Sequence, residues 1–167
     1  LLEAKHVAQL IEATSRSFDL ASDCEVTLEA NPEDASRFAD QAVAGVTRFS
    51  VGIQALDDAS LRALARKHDA PAARDAVAAA AATGKRVSCD LIYAREGQGL
   101  DAWRAELSQA LELPVEHVSL YQLTIEPDTP YAALHAAGKL IVPDPDAALA
   151  LYEITQEMTA GKGLAPY

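Results

Sequence analysis

Arg48-Phe-Ser-Val-Gly-Ile-Gln54 alternates apolar and small polar side chains, so an extended strand here has Phe49, Val51 and Ile53 on one face and Ser50, Gly52 and Gln54 on the other. The apolar face suits a layer of helices. The polar face suits the interior of an α/β barrel that holds a ligand in place of packed aliphatic groups. Gly52 leaves room for a close approach to the backbone, and Gln54 stands at the strand's C-terminal end, where barrels of this class keep their chemistry.

The flanking sequence repeats that grammar. Upstream, residues 3–18 carry Val7, Leu10, Ile11, Thr14 and Phe18 at helical spacing, which predicts an amphipathic helix laid on a sheet. Glu25-Val-Thr-Leu-Glu29 then alternates, with Thr27 and Glu29 on one face and Glu29 ending the strand. Asn31-Pro32 opens a helix running to about Ala44, and Gly45 closes it. Downstream, Asp57 or Asp58 caps a helix carrying Leu61, Leu64 and Ala65, and an alanine-rich helix over 72–83 ends at Gly84. The strand 86–93 sets Ser88 and Asp90 against Val87, Cys89 and Leu91.

A loop over 94–99 leads to a helix with Leu100, Trp103, Leu107 and Leu111 on one stripe, ended by Pro114. His117 to Ile125 reads as a fourth strand. A short helix near 130–137 follows, then a last one opened by Asp144-Pro145 that buries Leu151, Ile154 and Met158. Strands alternating with helices of this length predict an α/β fold with about four parallel strands and flanking helices, a partial (β/α) barrel. Right-handed crossovers put the strand ends on one rim, which brings Glu29, Gln54, Asp90 and the segment Gln122 to Thr124 together.

Composition narrows the function classes. The 167 residues are 50% hydrophobic, enough for one domain with a core, and the formal charge of -11 argues against a nucleic-acid partner. No apolar run approaches the ~20 residues that span a bilayer and no signal-peptide pattern is present, which predicts a cytoplasmic protein and not an integral membrane one. Cys24 and Cys89 are too few and too far apart for a disulfide framework or a metal clip. The start at Leu1 without a methionine and the stop at Tyr167 suggest the central part of a longer domain, truncated at both ends. Such a truncation leaves strand 25–29 as an open edge, and self-association is expected there.

Each candidate residue has two readings. Glu29 either accepts hydrogen bonds from a ligand's ammonium group or stabilises the next helix's N-terminus. Asp90, inside an apolar strand, needs a partner: a ribose diol or a salt bridge to Arg48 or Arg66. Gln54 offers donors and an acceptor to a polar ligand edge or to the rim itself. Arg66 by itself reads as a helix-dipole partner. Cys89 reads as a small core residue, and His6, His117 and His135 as surface or core fillers, leaving His68 as the histidine beside a candidate site. No metal-ligand spacing is present, and the 94–99 loop lacks the lysine and serine of a phosphate-cradling loop.

At Glu-Ala-Asn-Pro (29–32), Arg48 to Gln54, Asp-Leu-Ile-Tyr (90–93) and Ser119 to Pro127, the chain resembles the radical S-adenosylmethionine enzymes of the oxygen-independent coproporphyrinogen III oxidase group, most nearly their heme chaperone HemW branch. The resemblance runs through the whole chain in order. It implies a partial (β/α) barrel with S-adenosylmethionine across the strand ends, contacted by Glu29, Gln54, Arg66, Asp90 and the backbone near Thr124. It implies a heme chaperone that passes heme to an acceptor protein. The alternative is oxidative decarboxylation of coproporphyrinogen III propionates, which needs cationic clamps, with Arg48, Arg66 and Arg95 the candidates near the rim; an unrelated barrel fragment without cofactor is the further alternative. In the enzymatic relatives a four-iron four-sulfur cluster reduces the sulfonium to release a carbon radical. Two departures stand out: Ala94-Arg-Glu-Gly97 replaces the family's usual Gly-Leu-Pro-Gly, and the C-x-x-x-C-x-x-C cluster motif is missing. Cys24 and Cys89 cannot supply three thiolates, so the resemblance puts the cluster's ligands outside this chain and predicts that the chain alone is inactive.

Overall fold

The computed structural model of the protein describes residues 2–166. Strands β1 (Thr27–Ala30), β2 (Arg48–Gln54), β3 (Arg86–Tyr93) and β4 (His117–Gln122) form one sheet in the order β1-β2-β3-β4. β1 runs parallel to β2, with Thr27 opposite Arg48 and Glu29 opposite Ser50. The Glu116 N–H donates to the Val87 carbonyl at 3.0 Å and the Leu123 N–H to the Tyr93 carbonyl at 2.8 Å, so β4 runs parallel to β3. Helices α1 (Ala4–Ser17), α2 (Phe38–Val43), α3 (Asp58–Ala63), α4 (Ala70–Ala82), α5 (Leu100–Ala110), α6 (Pro130–Ala136) and α7 (Pro145–Gly161) alternate with the strands.

The elements gather into two compact units. The first comprises the chain up to Asp90 together with Leu113–Ser119. Its core is the apolar face of β2, where Phe49, Val51 and Ile53 are fully buried and the Phe49 ring lies 4.9 Å from that of Phe38. Ala73, Ala76, Val77 and Ala80 form the buried stripe of α4, the spacing of an amphipathic helix, and their small size lets α4 lie close to β2. Cys89 is buried in the same unit, as its parity predicts, and burial pushes its thiol up to about 12.

The second unit comprises Leu91–Glu112 and the chain from Leu120 onward. Here α5 packs on α7: Trp103 and Leu107 of α5 and Leu151 and Ile154 of α7 are buried, and the Trp103 indole N–H donates to the Thr155 hydroxyl at 2.8 Å. The Tyr93 ring stacks on Trp103 at 5.3 Å. Asp144 caps α7 by accepting from the Ala147 N–H at 2.8 Å.

Several boundaries differ from expectation. β1 begins at Thr27 and not Glu25. Asn31-Pro32 opens a 3-10 turn over Pro32–Arg37 before α2, because the Asn31 carbonyl is taken by the Asp34 N–H three residues on. In α1 only Val7 is buried; Leu10 and Phe18 are 56% and 67% exposed, so that helix covers its neighbours with a narrower stripe than its sequence offers. α5 stops at Ala110, ahead of Pro114, with Leu100 exposed. β4 stops at Gln122, which leaves Thr124 outside the strand.

Candidate functional site

The polar face of the sheet forms in rows. Register places Glu29 beside Ser50, and the Ser50 hydroxyl donates to both Asp90 carboxylate oxygens at 3.1 and 3.2 Å. Ser119 of β4 gives Asp90 a further hydrogen bond. One row across the four strands is therefore Glu29, Ser50, Asp90 and Ser119. The row beneath it is also linked: the Arg48 guanidinium donates to the Ser88 hydroxyl at 3.1 Å, and Ser88 donates to Ser50 at 2.8 Å.

The salt bridge weighed for Asp90 does not form. Arg48 pairs with Glu25 at 3.3 Å, and Arg66 lines a cleft that Asp90 does not border. Burial pushes the Asp90 carboxyl above the usual aspartate range, and the Glu29 charge adds to that; the Ser119 and Ser50 hydroxyls and nearby His117 act against it. His117 is no filler. It flanks Asp90, and burial together with the Arg48 charge holds its imidazole below the usual histidine range. Glu29 keeps its predicted parity but is exposed, so a desolvated interior does not account for it.

Gln54 ends β2 with a φ of 65°, in the left-handed region that most residues avoid. A methyl group on Gly52 would stand 2.7 Å from the Gln54 amide nitrogen, so the glycine makes room for that side chain. Arg66 follows α3 in a helix stop. The Ala65 N–H donates to the Arg62 carbonyl and the Arg66 N–H to the Leu61 carbonyl at 2.9 Å, with Ala65 at φ 54°. Arg66 and Lys67 thereby line a cleft of about 300 Å³ with Asn31, Glu33, Asp34 and Ala65.

Thr124 lies in the second unit, exposed, and its hydroxyl donates to the Glu126 carboxylate at 3.0 Å. In that unit Ala94 has φ 57°, the conformation for which glycine is preferred, so alanine here carries a backbone cost. Arg95 is buried: its guanidinium donates to the Ile92 carbonyl at 2.8 Å and pairs with Glu106 at 2.5 Å. This corrects its placement as a rim cation.

Ser119 is a site residue that the sequence analysis does not single out, and His117, read there as a filler, interacts with Asp90. The alternation His117-Val-Ser119 carries the same signal as strand 86–93.

The first-unit residues suit a small zwitterionic ligand: carboxylates for an ammonium or a diol, an amide, and a guanidinium for a carboxylate. An iron-sulfur cluster does not suit this chain. Cys24 is exposed and Cys89 buried, and among the described residues no group of three or more histidine, cysteine or carboxylate side chains is placed to hold a metal ion. Nor is any helix among them long and apolar enough to cross a membrane.

No protein-family profile matches the chain. It is 37% identical over 170 residues to the heme chaperone HemW of Haemophilus influenzae, covering 100% of this chain and 43% of that protein. It is 40% identical over 164 residues to the mouse mitochondrial radical S-adenosyl methionine domain-containing protein 1, covering 96% of this chain and 37% of that one. The chain thus spans less than half the length of these relatives. Among solved structures it superposes on the Escherichia coli coproporphyrinogen III oxidase HemN, a radical SAM enzyme, with a TM-score of 0.79 at 20% identity, over 97% of this chain and 38% of that one. A radical S-adenosylmethionine methyltransferase from Kitasatospora setae, TsrM, matches at TM-score 0.63 and 14% identity over 81% of this chain and 25% of that one. The four parallel strands with flanking helices are the fold shared with these structures.

Proposed function

We infer that this chain, related over its full length to the radical S-adenosylmethionine proteins named heme chaperone HemW, is the cofactor-contacting middle of such a protein. S-adenosylmethionine, when bound, supplies a reactive sulfonium; the chain's own residues hold and orient it. Asp90 accepts from the ribose diol, Glu29 from the ammonium, Gln54 meets a polar edge, and Arg66 pairs with the carboxylate.

The observation that carries this reading is Asp90. A half-buried carboxyl held by serine hydroxyls, with no lysine or arginine bonded to it among the described residues, is an acceptor with its charge still to be answered. A purely structural carboxylate would be expected to face a cation.

Heme is the cargo and an acceptor protein the recipient in this reading, with the cluster held by segments outside these residues and the whole in the cytoplasm; the mouse relative is by name mitochondrial. Oxidase activity is the alternative, and two of the three arginines it calls on, Arg48 and Arg95, are engaged within their own units. The test is anaerobic incubation of the full-length, cluster-reconstituted protein with S-adenosylmethionine and a reductant. With heme, the expected result is binding followed by transfer to an apo-acceptor; conversion of coproporphyrinogen III, followed by chromatography, would make it the oxidase.

A further inference from the structure

We propose that His68 is a positioning residue that ties the turn presenting Gln54 to the segment presenting Arg66, so that both side chains meet one ligand. The inference rests on the reading of those two residues as S-adenosylmethionine contacts.

β2 does not simply fray at its end. The Ala55 N–H donates to the Ile53 carbonyl at 2.8 Å across Gln54, whose φ is 65°. A three-residue turn with positive φ at its centre is the rare, strained form of the γ-turn, and it persists only where its surroundings hold it. His68 supplies that hold. Its Nε2 lies 3.1 Å from the same Ile53 carbonyl, so Nε2 carries the proton and the carbonyl accepts two hydrogen bonds.

The ring is sequestered, with its side chain 2% exposed. Its other nitrogen, Nδ1, has no hydrogen-bond partner among the described residues and faces the Glu33 carboxylate at 3.7 Å. Glu33 lines the same cleft as Arg66 and Lys67. One imidazole therefore touches the end of β2 and the wall of the Arg66 cleft, two residues along the chain from Arg66 itself.

The connector between α3 and α4 has other anchors. Asp69 accepts from the Ala72 N–H and Asp58 from the Ala70 N–H, each at 2.9 Å. These anchors hold the connector around residue 68 independently of the imidazole N–H, which is spent on the turn at Gln54. A phenylalanine fills the site without a donor, and a glutamine restores one.

The experiment measures S-adenosylmethionine affinity by equilibrium dialysis on the full-length, cluster-loaded protein, as wild type, His68→Phe, His68→Gln, Gln54→Ala, Asp90→Asn and the His68→Phe/Gln54→Ala double variant. His68→Phe should weaken binding about tenfold, and the double variant should bind no more weakly than Gln54→Ala alone, because the tether acts through Gln54. His68→Gln should stay within about threefold of wild type. Losses that add in the double variant, or unchanged affinity in His68→Phe while Gln54→Ala is weakened, overturn the tether alone. A His68→Phe protein that far-UV dichroism shows unfolded also overturns it, since the ring would then serve the core. Unchanged affinity in both Gln54→Ala and Asp90→Asn removes the contact reading, and the tether falls with it.

Discussion

Asp90 shows how one residue's surroundings become a measurable property. Its carboxyl is held above the usual aspartate range, first by burial. The folded state therefore binds its proton more tightly than the unfolded chain does, and the stability this gives is complete below the unfolded value of about 4 and lost as pH rises through the raised folded value. Asp90→Asn cannot lose it. In urea melts across that window the variant is expected to gain on wild type as pH rises; a difference that stays constant with pH would contradict the placement of Asp90. The position was legible in the sequence because strand alternation fixes which side chains share a face, so Ser50, Ser88 and Asp90 read out directly. Its environment was not. Ser119 lies 29 residues downstream and reaches Asp90 only once β4 has docked beside β3, and the exposure of Glu29 depends on what flanks β1 and not on its own alternation.

At the level of elements, the strands and long helices follow their periodicity, while the turns that aim the site do not follow composition. Gln54, Ala65 and Ala94 all adopt positive φ without being glycine. Glycine is the usual marker of such positions, so nothing in these three residues announces a left-handed turn. The helix stop after α3 makes this testable. Ala65 occupies the position that glycine favours, and Ala65→Gly removes the side chain's clash at the cost of a freer unfolded chain. The expected net gain is about 0.5 to 1 kcal/mol in urea unfolding, with the Arg66 N–H bond to Leu61 retained. A net loss would mean that the Ala65 methyl contributes contacts beyond its backbone geometry.

For the molecule as a whole, β1 is an edge of the sheet and pairs with β2 on one side only among the described residues. An unpaired edge is a template for another chain, while a net charge of -11 opposes approach. Salt screens that repulsion, so the isolated 167-residue chain is expected to gain mass in light scattering as ionic strength rises. A monomer at every salt concentration would show that the edge is protected.

The central claim is that the polar strand ends receive S-adenosylmethionine. Its most direct test is calorimetric titration of S-adenosylmethionine into the full-length protein and into its Asp90→Asn variant, with folding checked by circular dichroism. Loss of a charge-assisted contact predicts affinity weaker by about tenfold or more with the fold intact; equal affinity in the two proteins would contradict the site.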